Sequence, residues 1–303
     1  MVGVAGAGAA GRAIHFILSE DGRMAVKIIF VALFFAATLL LGFLYQRKVR
    51  SMEDFVLGGR SVGPWLTAFS YGTSYFSAVV FIGYAGQFGW NFGISAFWVG
   101  LANALLGSLA AWAVLGRRTR IMTQHLGAST MPEFFSKRYR SRPLKLAAAL
   151  IIFIFLVPYS ASVYKGLSGI FSMAFGIDFK YCIIGMAVLT GIYVVLGGYM
   201  ATVANNFVQG IVMLAGIVLV VAAVLNGGGG FMEAIKSLSA VEAAQGSAGS
   251  GMHGAYVSLF GPDPLGLLGV MLLTSLGSWG LPQMVHKFYT IDSEKSIGKG
   301  AVI

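Results

Sequence analysis

Residues 64–83 read PWLTAFSYGTSYFSAVVFIG, an apolar stretch long enough to cross a bilayer but interrupted at its centre by glycine and hydroxyl-bearing residues. In hydrocarbon an unpaired backbone carbonyl is costly, so a helix that unwinds there must line a polar site. Interrupted helices near the bilayer midplane hold ions and charged groups in secondary transporters. Close packing of helices through small residues is the alternative, and this segment alone leaves both explanations open.

A second stretch of the same character is SLGSWGLPQ at residues 275–283. Gly277, Gly280 and Pro282 weaken a helix around Trp279. Tryptophan is common where a helix meets the membrane interface, but a position beside a helix break also favours a role in binding. The sequence therefore predicts two interrupted helices, far apart in the chain.

The composition of the whole chain is that of a membrane protein. Of the 303 residues, 57% are hydrophobic and 11% are charged, and the charged fraction is about half of that in soluble domains. The formal net charge of +10 could indicate a nucleic-acid partner, but the basic residues fall in short connections between apolar runs. We therefore expect an all-α integral membrane protein with the lipid bilayer, and no nucleic acid, as its partner.

Seven runs are long and apolar enough to span the membrane. We place them at about 25–46, 64–88, 92–115, 146–174, 181–198, 203–226 and 264–285. Residues 1–23 are expected to be an N-terminal extension, and Met24 opens the membrane domain at 24–303. The connection at 227–262 is rich in glycine, and residues 231–243 could form a short surface helix within it.

The charges between these runs predict the orientation of the chain. The connections after the first and third runs and the tail after the seventh, which begins near Lys287, hold most of the 21 Lys and Arg residues. The connections on the opposite side hold only Lys180 and Lys236. Because positively charged loops stay in the cytoplasm, we expect a multi-pass plasma-membrane protein with its N-terminus outside and its C-terminus inside.

Sequence patterns of enzymes are absent. There is no Walker A loop and no cluster of metal ligands, and the four histidines are scattered along the chain. We therefore expect no enzyme, no catalytic residue and no resident cofactor.

Three blocks of sequence resemble the sodium/solute symporter family, with its sodium/proline-like and sodium/pantothenate-like carriers. They are DFVLGGRSVG at 54–63, GGYMA at 197–201 with Asn206 and Gln209, and PQ at 282–283 followed by Lys287, Phe288 and a polar tail. The resemblance implies a LeuT-like core of two inverted five-helix repeats preceded by one extra helix. On that map the two interrupted runs are core helices 1 and 6.

The resemblance also implies a binding site. Backbone carbonyl groups of Thr73 and Phe76 would hold sodium, the coupling ion, as the only metal site. Ser77 would lie beside both the cation and the solute. The aromatic side chains of Tyr159 and Trp279 would contact the solute.

This sequence departs from the family pattern along the cation route and beside the solute. Proline carriers have an aspartate where this chain has Tyr75, and many members have one where it has Asn206, which we assign to the ion pathway. A proton could therefore replace sodium. Val79 and Val80 replace the polar residues of sugar carriers and disfavour a sugar, which leaves a small amino acid or an organic acid.

The function implied by the resemblance is cation-coupled symport of a small organic solute by alternating access. The chain is expected to be truncated, because it stops near the start of core helix 7 and lacks core helix 8, whose hydroxyl groups complete the family's sodium site. Such a chain would not transport alone. The alternatives are a symporter-like sensory input module of a histidine kinase and an inactive fragment.

The orientation can be tested with single cysteines placed at Ser51 and Ser247, after the native Cys182 is replaced by serine. A membrane-impermeant thiol reagent added outside intact cells should label Ser247→Cys and should label Ser51→Cys only after permeabilisation. Labelling of Ser51→Cys from outside would contradict the predicted orientation.

Overall fold

The computed structural model describes residues 20–47, 49–76, 84–243 and 251–303. Within these ranges the chain is almost entirely helical, and its backbone pairing outside helices is limited to two isolated bridges. The α-helices are α1 Glu20–Gln46, α2 Met52–Leu57, α3 Pro64–Tyr75, α4 Ala85–Phe92, α5 Phe97–Ala102, α6 Arg117–His125, α7 Met131–Tyr139, α8 Arg142–Phe175, α9 Phe179–Gly227, α10 Phe231–Ser239, α11 Pro264–Gly277, α12 Pro282–Thr290 and α13 Glu294–Val302.

Two π-helical segments, Asn103–Leu109 and Trp112–Gly116, join α5 to α6, so that residues 97–125 form one continuous helical rod. Short 3₁₀ turns at Gly58–Arg60, Gly93–Ala96, Ala255–Val257 and Ser278–Gly280 connect other helices. The short helix that the sequence suggested within 231–243 is present as α10.

Four helical stretches of the described chain are long and apolar enough to cross a membrane: Gly22–Gln46, Ala85–His125, Arg142–Phe175 and Phe179–Gly227. The pair Pro264–Gly280 and Pro282–Thr290, bent by 48°, is a fifth candidate. The all-α membrane class expected from the sequence is confirmed. The division into seven spans, with an extension at 1–23, stays a prediction, and most of that extension lies outside the described residues.

The 49-residue α9 is two antiparallel arms joined at Gly198. Met186 and Gly216 line the same cavity, whereas a straight helix would place them about 45 Å apart. Gly198 has φ 58° and ψ −150°, a region of backbone conformation that is open essentially to glycine alone. The arms correspond to the predicted spans 181–198 and 203–226.

Both helix breaks expected from the sequence are present. Helix α3 begins at Pro64 and ends at Tyr75, after which Phe76 leaves helical geometry with φ −83° and ψ 61°. Helix α11 ends at Gly277, a single 3₁₀ turn follows, and Pro282 opens α12 at the 48° bend. The helix of the first stretch therefore ends inside that stretch, and the helix of the second is bent.

Aromatic packing around Tyr71 holds α3 against the C-terminal helices. Trp112 meets Phe288 edge-on at 5.3 Å and Tyr71 at 5.5 Å between ring centroids. The cluster is completed by Met284, Ile291 and Ile297. Arg60 adds a hydrogen bond from Nη2 to the carbonyl of Ala128 at 2.8 Å. Tyr71 thus anchors α3 in a buried apolar cluster.

The junction of the two arms of α9 at Gly198 leads to a prediction about thermal stability. A Cβ atom at residue 198 would lie 3.1 Å from the backbone oxygen of Phe55, and the backbone conformation itself costs about 1–3 kcal/mol for other residues. We expect Gly198→Ala to lower the midpoint of thermal unfolding in detergent by several degrees.

The matched control is Gly191→Ala in the first arm of α9, where a new Cβ would have no neighbour within 4 Å. Alanine is a better helix former than glycine by about 1 kcal/mol, so this variant should be as stable as the parent or more so. Equal destabilisation by both variants would show that the backbone conformation at Gly198 is not the cause of the lower thermal stability.

Candidate functional site

A cavity of about 990 Å³ lies between α1, the end of α3, α8 and both arms of α9. Thr73, Phe76 and Tyr159, all predicted from the sequence as site residues, line it together. Its other polar lining comes from Thr38, Ser160, Tyr164, Thr190, Tyr193 and Gln209. No charged side chain is among the described residues of its wall, so recognition there depends on hydroxyl, amide and aromatic groups.

The end of α3 borders this cavity. The hydrogen bond from the Phe76 N–H to the Gly72 carbonyl, at 2.8 Å, closes the last turn of the helix. The carbonyl groups that follow Gly72 belong to the final turn, which has no donors within its own helix. Thr73 and Phe76 both line the cavity, and the backbone oxygens of this last turn belong to the ligand class that hard cations prefer.

The remaining ligand chemistry of the described chain agrees with a cation held by neutral oxygens. The described residues contain no group of three or more His, Cys, Asp or Glu side chains that could hold a metal ion. The hydroxyl of Thr73 donates to the carbonyl of Phe69 at 2.9 Å, so it reinforces the helix and leaves the backbone oxygens of the last turn as the candidate ligands.

Three residues discussed from the sequence cannot be located. Ser77, predicted to lie beside both ion and solute, falls within 77–83, outside the described part of the chain. Val79 and Val80, which bear on the choice of solute, fall in the same gap. Their roles stay predictions.

Trp279 does not line the cavity that contains Tyr159. It lies in the turn Ser278–Gly280 between α11 and α12, and its indole N–H donates to the carbonyl of Leu106 at 2.8 Å. Its half-buried ring is therefore attached to the π-helical segment Asn103–Leu109. The predicted contact between Trp279 and the solute stays a prediction.

Asn206 belongs to a buried cluster one turn of α3 away from Thr73. Its Nδ2 donates to Ser70 Oγ at 2.9 Å, and Lys287 Nζ donates to the same oxygen at 2.6 Å. The amine of Lys287 also lies 5.3 Å from the ring centroid of Tyr199. We call Ser70, Tyr199, Asn206 and Lys287 the Lys287 cluster. The hydrogen bonds of this cluster connect α3 to the second arm of α9 and to α12.

The position of Lys287 corrects the sequence interpretation, which put this residue in a polar cytoplasmic tail. Helix α12 continues to Thr290, and Lys287 is only 5% exposed. The salt bridges among the described residues do not include it. A buried ammonium group without a carboxylate partner is costly, and the lysine is kept in place by the serine hydroxyl and the tyrosine ring.

Asn103 is a polar residue that the sequence analysis missed. It lies at the junction of α5 and the π-helical segment, and its side chain contacts both interrupted helices. The only available signal was a lone amide inside an apolar run, which in a membrane helix usually has a partner or a function.

Residues 55–303 match the model of the sodium:solute symporter family. The chain belongs to this family. Sodium:solute symporters are membrane transporters, so the chain is classed with transporters and not with enzymes.

Curated relatives and a solved structure support the same grouping. A sodium/proline symporter of Staphylococcus aureus is 32% identical over 279 residues, which cover 89% of this chain and 51% of the relative. A second, from Staphylococcus aureus strain JH9, is 31% identical over 280 residues with the same coverage. The chain thus spans about half the length of the curated relatives it matches.

The structural comparison is with a substrate-bound outward-open state of a Na⁺-coupled sialic acid symporter. The two chains are 19% identical and match with a TM-score of 0.70. The matched region covers 92% of this chain and 56% of that chain. This likeness confirms the expected fold class, an incomplete LeuT-like inverted-repeat core, since the match covers about half of the compared chain.

The unpaired charge of Lys287 leads to a prediction at Asn206. Asn206→Asp would place a carboxylate on the serine hydroxyl that Lys287 already contacts, and a hydrogen bond between charged groups contributes about 1.5–3 kcal/mol. We expect this variant to raise the midpoint of thermal unfolding, measured in sodium-free buffer.

The neighbouring substitution Asn205→Asp is the matched control. Asn205 is 2% exposed and accepts a hydrogen bond from Thr38, with no cationic side chain bonded to it. A carboxylate there would be buried without a cationic partner and should lower the midpoint of thermal unfolding. A fall in stability with both variants would contradict the description of Lys287 as an uncompensated charge.

Proposed function

We propose that the protein is a symporter that uses a sodium gradient to move a small organic solute across the plasma membrane. The observation that carries this proposal is the common wall formed by Thr73, Phe76 and Tyr159 at the unwound end of α3. An interrupted helix beside a cavity at membrane depth is where secondary transporters bind ions and solutes. Family membership supports the same class of reaction.

In this proposal the cation is bound by backbone oxygens at the end of α3. Thr73 and Phe76 supply carbonyl groups, and the hydroxyl of Ser77 is the expected third ligand. Sodium is a hard cation that takes oxygen ligands, and neutral oxygens suffice where water is excluded. Because the ion would bind to backbone oxygens at the end of α3, cation binding and the geometry of the break stabilise each other.

The solute is proposed to be a small amino acid or another organic acid that carries a carboxylate. A solute carboxylate in the cavity would be balanced by the bound cation, since no charged side chain is among the described residues that line it. The aromatic ring of Tyr159 offers an apolar surface for the body of the solute, and Trp279 is proposed to join it. Proline and sialic acid, named for the similar proteins, both carry a carboxylate.

Transport would follow alternating access, in which the interrupted helices change their tilt around the occupied site. The unwound end of α3 and the turn at Ser278–Gly280 are the points where such bending needs little rearrangement of hydrogen bonds. We further propose that the N-terminus lies outside and the C-terminus in the cytoplasm, with Asn206 beside the ion's exit. The sensory-module alternative is not favoured, because the matched relatives are named as symporters.

The proposed cation site can be tested with Ser77→Ala in the intact protein reconstituted into proteoliposomes. Loss of one buried hydrogen-bonding ligand costs about 1–3 kcal/mol, so the sodium concentration for half-maximal uptake of labelled proline should rise about 5- to 150-fold. Sodium, lithium and a proton gradient should be compared, since uptake that follows pH and ignores sodium would exclude sodium as the coupling ion.

The solute side is tested separately with Tyr159→Ala and Trp279→Ala. Each should weaken proline binding while leaving sodium binding in the absence of solute nearly unchanged. Tyr181→Ala is the control, because Tyr181 is 72% exposed at the start of α9, away from the cavity wall. Unchanged proline affinity in both variants would refute the assignment of these aromatic residues to the solute.

A further inference from the structure

The side-chain amide of Asn103 joins the two interrupted helices. Its Nδ2 donates to a carbonyl one turn earlier on its own helix at 2.9 Å and to Thr274 Oγ1 at 3.1 Å. Its Oδ1 accepts hydrogen bonds from the hydroxyl of Tyr75 and from Ser275 Oγ, the latter at 3.3 Å. An amide has two donors and one oxygen with two lone pairs, so the hydrogen-bonding capacity of this side chain is fully used.

The partners of Asn103 are placed at both helix breaks. Tyr75 is the last residue of α3, directly before Phe76, and its hydroxyl also contacts the carbonyl of Thr274 at 3.2 Å. Thr274 and Ser275 lie in the last turn of α11, directly before the turn that contains Trp279. One side chain on a third helix therefore contacts the final turn of both interrupted helices.

The π-helical segment that begins at Asn103 supports the second break as well. Ser278 Oγ donates to the carbonyl of Gly107 at 3.3 Å, and the indole of Trp279 donates to the carbonyl of Leu106 at 2.8 Å. The wider turn of a π-helix disturbs the regular hydrogen-bond ladder and frees such carbonyl groups for other donors. The turn between α11 and α12 is thus attached to the same segment as the end of α3.

Gly107 allows this close approach. A Cβ atom at this position would lie 3.1 Å from the Tyr75 hydroxyl oxygen, 3.3 Å from Cα of Ser275 and 3.4 Å from Oδ1 of Asn103. Three segments of the chain therefore meet at a point with no room for a side chain.

We propose that Asn103 is a positioning residue that sets both helix breaks and couples them. By fixing the side chain of Tyr75 it fixes the direction of the carbonyl groups of Thr73 and Phe76. Through Thr274 and Ser275 it fixes the turn that carries Trp279. A movement of one break is passed to the other through this amide, beside the direct contact between the Tyr75 hydroxyl and the Thr274 carbonyl, so that cation binding at α3 changes the affinity for solute. The coupling part of this inference rests on the proposed function.

The first test uses Asn103→Leu, which keeps the approximate size of the side chain and removes its hydrogen bonds, and Tyr75→Phe. Both are made in the intact protein in nanodiscs, with radioactive sodium and labelled proline as the probes. We expect the sodium concentration for half-maximal binding to rise about tenfold in each variant. The factor by which sodium strengthens proline binding should fall, and the double variant should be no worse than Asn103→Leu alone.

Tyr71→Phe is the matched control, one turn earlier on α3. The ring of Tyr71 packs against Trp112 and Phe288, and its hydroxyl has no hydrogen bond to another described residue. Its loss should leave sodium affinity and coupling unchanged. Normal sodium affinity and coupling in Asn103→Leu would overturn the proposal, and so would strictly additive effects of the two substitutions.

The second test is independent of sodium and of transport. Hydrogen–deuterium exchange is measured without sodium on peptides that cover 71–76 and 274–280. Asn103→Leu should increase exchange in both peptides, whereas Ser278→Ala should increase it only in the second. Faster exchange at only one break in Asn103→Leu would overturn the proposal. Absence of sodium binding by the unaltered protein would contradict the proposed function instead, and the exchange result would then decide on the positioning role alone.

Discussion

The structure depends on one constraint, which is that backbone carbonyl groups at the end of a helix need partners even inside a membrane. Helix α3 ends at Tyr75 in the middle of an apolar stretch, so its last turn must be satisfied by something other than its own N–H groups. A bound cation is one such partner, and the cavity wall at Thr73 and Phe76 is where it would bind. The residues around α3 must then hold the end of the helix in place.

Helix α3 is held at three levels, each by a different kind of interaction. One level is apolar: the bridge between Val62 and Ile291 lies just before α3, and the aromatic cluster around Trp112 packs against Tyr71. In its middle Ser70 receives hydrogen bonds from both Asn206 and Lys287. At its end the hydroxyl of Tyr75 meets Asn103. The first level depends on burial of apolar surface and the other two depend on buried polar groups, which tolerate little change in distance.

The sequence predicted those features that have a local physical cause. Glycine, proline and hydroxyl residues predicted both helix breaks. The burial of Lys287 was missed because the apolar run ends near residue 285, whereas α12 stays buried through residues of mixed polarity as far as Thr290. Asn103 was missed because its partners lie up to 172 residues away in the chain, and no local pattern reveals such a contact.

The central claim is that sodium is bound by backbone carbonyl groups at the end of α3, and solid-state NMR of one carbonyl tests it most directly. Labelling with carbonyl-¹³C threonine and ¹⁵N serine selects Thr-Ser peptide bonds, and this sequence contains two, at Thr73 and at Thr274. The account predicts that sodium, but not potassium at the same concentration, shifts the Thr73 carbonyl resonance strongly and the Thr274 resonance less. Saturating sodium that leaves the Thr73 resonance unchanged would contradict it.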